Sequence, residues 1–247
     1  MGTTAILSAL AQEQQGLIGQ LDAPRQVHRA GRDYWLGRLQ GREVVLALSR
    51  IGKVAAATTA TTLVEAFDAR RIVFTGVAGG LDRDVHIGDV VVADRFVQHD
   101  MDASPLFPRF EIPLYGQSSF QCDGDLSDRL AQACRSSLAA AGAPGRTPGL
   151  HRGLIVSGDQ FVSTAQAAGR IQEALQDAGL APLAVEMEGA AVAQVCHDYG
   201  IAFAAVRTIS DRSDEASATD FQHFVTHVAS RYARAIIDEL MPLLPQH

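Results

Sequence analysis

Short aliphatic runs recur along the chain, separated by Ala-rich segments of helical period, and this alternation limits the possible folds more than any other feature. RIVFT (Arg71 to Thr75), DVVVADRF (Asp89 to Phe96), LIVS (Leu154 to Ser157), PLAV (Pro182 to Val185) and IAFAAVRTIS (Ile201 to Ser210) are apolar almost throughout. Strands of this kind are covered on both faces, whereas a half-wet strand alternates apolar and polar residues. Between them, KVAAATTATTLVEAF (Lys53 to Phe67), Ser127 to Ala141, Ala165 to Ala178 and Gly189 to Tyr199 read as helices, and Asp220 to Leu244 as a closing one. TAILSAL (Thr4 to Leu10) gives a first strand followed by a helix from Ala11, and Tyr34 to Leu39 pairs with Glu43 to Leu48 as a hairpin. The expected fold class is α/β, a sandwich around a largely buried sheet. No linker or shift in composition divides it, so residues 1–247 are expected to form one domain.

A formal charge of −7 without any Lys/Arg run argues weakly against a nucleic-acid partner. Cys122, Cys134 and Cys196 are too few and too scattered for a disulfide framework and read as reduced thiols of a cytoplasmic protein. Neither a signal peptide nor a membrane-spanning run is expected. QHDMDASPLFPRFEIPLYGQ, from Gln98 to Gln117, has three prolines and no period, so it reads as a long loop. Its aromatic content argues against disorder and leaves two readings, a packed excursion or a binding or interface loop.

In sheets of this type ligands collect at strand ends. Here those ends carry Glu13, SRIGK, the glycine turn TGVAGGL, SGDQF, AVEMEG and TISD. GVAGGL does not match GxGxxG, and no GxxxxGK[ST] phosphate loop is present. HDMD (His99 to Asp102) is the single dense set of metal-ligand types and lacks a second set to complete it, so no metal is expected. GxSxG is absent, and Cys196 beside His197 on a helix reads as core packing. Carboxylates remain. Glu13, Glu186, Glu188 and Asp211 lie at or just past strand ends, and acids sharing a cleft spread their pKa values into acid and base roles. Each one alone could equally be a solvated, ion-paired or capping residue.

TGVAGGL, IGDVVVAD, GLIVSGDQF, AVEMEGAAVAQVCH and VRTISD, in this order, resemble the 5′-methylthioadenosine/S-adenosylhomocysteine nucleosidases of the nucleoside phosphorylase/hydrolase superfamily. The likeness runs from about Ala5 to Phe224. It implies a single-domain three-layer α/β/α sandwich around a mixed, partly barrel-like central sheet, a homodimer, a nucleoside substrate and no cofactor. By position, Glu13 matches the water-activating glutamate and Asp211 the aspartate that protonates adenine at N7. Glu188 matches the glutamate on the ribose hydroxyls, with Met187 against the sugar and Gly79 in the glycine turn beside it. Phe161 and Val162 match the positions that stack on the base and bind it through the backbone. Ile51 and Phe221 match those around the 5′-alkylthio group. The loop carrying Phe107 and Phe110 resembles the segment lent to the neighbouring subunit's pocket. Glu188, at a helix N-terminus, is expected to stay ionised, and Glu186 to brace the strand beneath the site.

Two departures stand out. Val77 replaces the serine of TGSAGG, and Arg50 stands where glycine is common, either as a cation beside the sugar and 5′ pocket or as a surface residue. Hydrolysis is expected over phosphorolysis, because Phe74 occupies the place of the arginine that phosphorylases of the superfamily carry. The other readings are a nucleosidase for another 5′-modified nucleoside such as futalosine, and a non-catalytic nucleoside-binding protein. The latter has no use for a water-activating acid.

Overall fold

One long strand organises the architecture. In the computed structural model, which describes residues 2–140 and 147–245, β5 (Ala69–Gly80) joins the two parts of one sheet. Its first half pairs in parallel with β1 (Thr3–Ser8), from Thr4 opposite Arg71 to Leu7 opposite Phe74. β1 pairs in parallel with β4 (Arg42–Leu48), and the sheet ends in the antiparallel strands β3 (Arg32–Leu39) and β2 (Asp22–Arg29). On its other edge β5 runs parallel to β10 (Ala202–Asp211) from Arg71 to Gly79. From there the ring continues through β6 (Val90–Gln98), β8 (Leu150–Ser157) and β9 (Pro182–Glu186). β9 closes it antiparallel on Gly79 and Gly80. The sheet is therefore mixed, open on one side of β5 and a closed five-stranded barrel on the other. A short β7 (Ser119–Gln121) adds to β6.

Alternate residues of the continuous apolar strands enter opposite cores, as the two-residue period of a strand requires. Ala5, Leu7, Val45, Ala47, Ile72 and Phe74 face α2 (Lys53–Phe67) and α5 (Gly189–Tyr199). Ile6, Val44, Leu46 and Val73 face the opposite layer, formed by α1 (Ala11–Ile18), α3 (Gly124–Ala140) and α7 (Ser230–Leu240). A third cluster lies under α4 (Ala165–Asp177). Two helical layers with a sheet between them make the expected three-layer arrangement.

The structure corrects the expectation in four places. TGVAGGL is not a turn: β5 runs through Gly79 and Gly80, because β10 on one edge and β9 on the other keep the backbone extended. β2, DAPRQVHR, was not foreseen, since it is exposed nearly throughout and carries no apolar period. The closing helix is broken into α6 (Ser217–Phe224), a π-type turn (Val225–Ala229) and α7. The segment 98–117 is a packed excursion whose Phe110 is 2% exposed in the third cluster, so this side chain fills the chain's own core. Phe107 stays half-buried. The connection AGAPGRTPG lies largely outside the described residues.

α5 lies unusually close to the barrel. A Cβ on Gly189 would stand 2.2 Å from Cε1 of Phe96, so only glycine lets the first turn of the helix rest on that ring. Gly189→Ala is expected to lower stability by about 1–3 kcal/mol, the usual cost of overpacking. The urea midpoint measures this, and an unchanged midpoint would show that α5 can lift away without cost.

Candidate active site

Three elements end at the mouth of the barrel with unmet backbone groups, and buried carboxylates meet them. At the start of α5, Glu186 accepts the N–H groups of Glu188 and Gly189 and the hydroxyl of Ser157. Ser157 Oγ in turn accepts the Ala190 N–H at 2.7 Å. The helix is thus capped from β8 and β9, and the residue at the N-cap position, Glu188, makes no side-chain cap of its own. Its carboxylate turns outward, where Oε1 accepts the Gly52 N–H at 2.9 Å. Glu186 also forms a 2.7 Å ion pair with Arg207 Nη2, with both side chains almost wholly buried. The brace expected of Glu186 is this pair together with the cap.

Glu188 and Asp211 face a common cavity of about 290 Å³. Gly79 and Met187 line it beside them, and Phe161, Val162, Ile51 and Phe221 complete its apolar wall. All the substrate-binding candidates read from the sequence are therefore brought together, apart from the two aromatic residues of the 98–117 loop. Phe161 and Phe221 meet edge to face with centroids 5.5 Å apart. Asp211 ends β10 and is 2% exposed. Its Oδ2 accepts the Ser210 hydroxyl at 2.8 Å and its Oδ1 the Ser213 N–H at 2.9 Å. Gly79 has to be glycine here, since a Cβ would lie 2.2 Å from Ser213 Oγ and 2.9 Å from Asp211 Oδ1.

Glu13 is placed differently. It sits in the first turn of α1, 1% exposed, behind a wall formed by Ala9, Leu10 and Val77, and does not itself line the cavity. One oxygen, Oε2, accepts the N–H groups of Ala9 and Leu10 at 3.0 and 2.9 Å, whereas Oε1 has no protein hydrogen-bond partner. Val77 touches both sides of this wall, so the substitution noted in the sequence stands between Glu13 and the cavity. Arg50 is exposed, donates to the Gly31 carbonyl and does not line the cavity, which makes it a surface residue and not a cation at the site.

Burial and mutual repulsion set the charge of these acids. Desolvation pushes Glu13 up from 4.5 to about 7, against the Leu10 hydrogen bond and the field of Arg207. Glu188 rises from 4.5 to about 8, first by desolvation and then by repulsion from Glu186, with Glu13 adding a smaller share. This overturns the expectation that a helix N-terminus keeps Glu188 ionised: burial and a second carboxylate outweigh the dipole. Asp211 is also raised, mainly by burial and against its hydrogen bonds from Ser213 and Ser210.

Arg207 was missed in the sequence, although an arginine inside the apolar run IAFAAVRTIS is the same kind of signal as a glutamate ending PLAV. Its Nη1 donates to the carbonyls of Phe74 and Val206 at 3.1 Å, and its guanidinium lies 4.0 Å from the Phe74 ring centroid. Together with the Glu186 pair, these contacts turn the cation towards protein groups.

The sequence matches the phosphorylase superfamily over residues 3–241. It is 38% identical to the 5′-methylthioadenosine/S-adenosylhomocysteine nucleosidase of Mycobacterium bovis, over 98% of each chain. The structure is similar to that of the nucleosidase of the same name from Neisseria meningitidis in complex with methylthio-immucillin-A. The TM-score is 0.88 and the identity 32%, covering 99% of this chain and 100% of the other. A futalosine hydrolase from Helicobacter pylori aligns with a TM-score of 0.85 and 30% identity, covering 98% of each chain.

Two consequences can be measured. Arg207→Met leaves the buried Glu186 without its partner and is expected to cost about 3–5 kcal/mol in chemical denaturation. Raised carboxyls also couple stability to pH. Above about 4.5 the unfolded chain releases protons that folded Glu13 and Glu188 still hold, so this contribution is present at low pH and is lost as pH rises through about 7 and about 8. The urea midpoint of the unliganded protein should fall across this interval, and less steeply in Glu13→Gln. Parallel profiles for the two proteins would mean that Glu13 titrates in its ordinary range.

Proposed function

The chain belongs to the phosphorylase superfamily and, within it, to the 5′-methylthioadenosine/S-adenosylhomocysteine nucleosidases, and from that premise we propose a specific reaction and site. The enzyme is an N-glycosyl hydrolase that cleaves 5′-methylthioadenosine, S-adenosylhomocysteine or both, releasing adenine and the 5-thio-ribose product. The observation that carries the assignment of residues is the placing of Glu188 and Asp211 on one apolar cavity, with Glu13 fixed directly behind its wall.

Breaking the bond leaves positive charge on the ribose and sends electrons into the purine. Asp211, whose pKa burial raises, is the acid that delivers a proton to N7 of the departing base and is left with the negative charge. Phe161 supplies the face on which the base stacks, with the Val162 backbone beside it. Met187 packs against the sugar and Glu188 holds its hydroxyls, while Ile51 and Phe221 surround the 5′ substituent. Glu13 takes the proton from the attacking water. A base titrating at about 7 is matched to that task, and Oε1 is the oxygen available for it. Val77 lines both the cavity and the recess beside Glu13.

Phosphorolysis needs an arginine free to grip a phosphate dianion. Arg207, the cation buried beneath the site, donates instead to Glu186, Phe74 and Val206, which favours hydrolysis. Futalosine remains the second reading for the substrate, because the H. pylori hydrolase of that name is nearly as similar in fold as the nucleosidases. The proposal further takes the chain as one cytoplasmic domain acting as a homodimer. Exposed Ile51, Val54, Leu106 and Leu114 support a subunit interface, and three free cysteines a reducing compartment.

Adenine release from the two thioether nucleosides and hypoxanthine release from futalosine, each with and without phosphate, test the reaction. Free 5-methylthioribose in phosphate-free buffer is expected, and ribose-1-phosphate products seen only with phosphate would overturn hydrolysis. Glu13→Gln and Asp211→Asn are each expected to reduce turnover by about 10²-fold or more. Near-normal turnover in a folded variant would remove that residue from the mechanism.

A further inference from the structure

Three stretches singled out in the sequence, IGK, HDMD and SGDQF, contain polar groups with no direct part in this chemistry, Lys53, Asp100 and Asp159, yet these converge beside Glu188. Gly52 has φ 96°, a conformation that favours glycine, and its N–H points at Glu188 Oε1. The next N–H, of Lys53, is accepted by Asp159 Oδ1 at 2.7 Å. The Asp159 N–H is in turn accepted by Asp100 Oδ2 at 2.9 Å. Lys53 Nζ closes the loop, donating to Asp100 and, at 3.1 Å, to Gln98 Oε1. Gln98 then donates to Gln194 Oε1 on α5 at 2.9 Å. Two adjacent N–H groups of one turn therefore serve two carboxylates, one facing the cavity and the other facing away from it. A Cβ on Gly52 would lie 3.2 Å from Asp159 Oδ1, which shows how closely that carboxylate is seated.

We propose that Asp159 is a positioning residue for Glu188: by holding the Lys53 N–H it fixes the Gly52 peptide, and the Gly52 N–H in turn aims the Glu188 carboxyl at the sugar hydroxyls. The inference rests on the assignment of Glu188 to the ribose. Glu188 is the N-cap residue of α5 without a cap contact there, so the Gly52 N–H is the backbone donor that orients its side chain. Asp100 and Lys53 join the SGD and IGK turns, and the Gln98–Gln194 contact ties the assembly to the helix that Glu188 begins. If the Gly52 turn shifts, the carboxyl loses its direction, although no group that touches substrate has been changed.

The test compares two substrates. Asp159→Ala should lower kcat/KM for the ribosyl nucleoside about tenfold, the scale of a lost charged hydrogen bond that sets geometry. For the 2′,3′-dideoxy analogue, which offers Glu188 nothing to hold, the change should stay within about twofold, read from turnover or from its inhibition constant. Asp159→Asn keeps an oxygen acceptor for the Lys53 N–H and should recover most of the ribosyl activity. An equal fall on both substrates, or no fall on either, would overturn the proposal. Asp159→Ser serves for the same comparison if the alanine variant does not fold. An unmodified chain that cleaves neither nucleoside would overturn the functional reading, and this inference with it.

Discussion

The ion pair between Arg207 and Glu186 fixes the arrangement of everything at the mouth of the barrel. Two nearly unexposed charges 2.7 Å apart are costly to desolvate, and the cost is offset only where the remaining hydrogen-bonding capacity is met. Here it is met by the start of α5, the Ser157 hydroxyl and two strand carbonyls. β8, β9, β10, β5 and α5 are thereby joined at one point. Because Glu186 does the capping, Glu188 is released from its own helix and faces the cavity.

The pair also governs the charge of its neighbours. Glu13, Glu186 and Glu188 crowd around one guanidinium, so the field of Arg207 cannot satisfy all three. Protonation is favoured in Glu13 and Glu188, the two carboxyls without that direct contact. An acid that rests near neutrality is what a water-activating base requires, and the fold produces it in Glu13 by desolvating the carboxyl more than the field of Arg207 and its hydrogen bonds offset.

Much of this was legible in the sequence, for definable reasons. Buried strands and Ala-rich helices announce themselves by their apolar content, and Lys53–Phe67 and Gly189–Tyr199 fall where they were expected. Glu188, Asp211, Met187, Phe161, Val162 and Phe221 could be assigned because motif order specifies a pocket even when distances are unknown. β2 was not legible, because an exposed edge strand has no apolar pattern to show. Nor was the path of the backbone through Gly79, which is set by partners on β9 and β10 and not by the glycines themselves. The charge of Glu188 escaped the reading because a local rule about helix ends does not count carboxylates arriving from other strands. Phe110 escaped it for a similar reason, since an aromatic residue in a proline-rich loop carries no sign of which way it turns.

β5 serves the open sheet and the barrel alike, and this has a consequence for the chain as it leaves the ribosome. β1, β4 and β5 are all made early, and β1 pairs with both of the other two. The edge of β5 opposite β1 waits for β10, and its end at Gly79 and Gly80 waits for β9, both from the last third of the chain. Throughout that interval an apolar strand presents unpaired peptide groups, a template for wrong partners. Synthesis of this protein therefore passes through a long aggregation-prone window that ends only when its final strand arrives, and a truncation before Ala202 would leave the window permanently open.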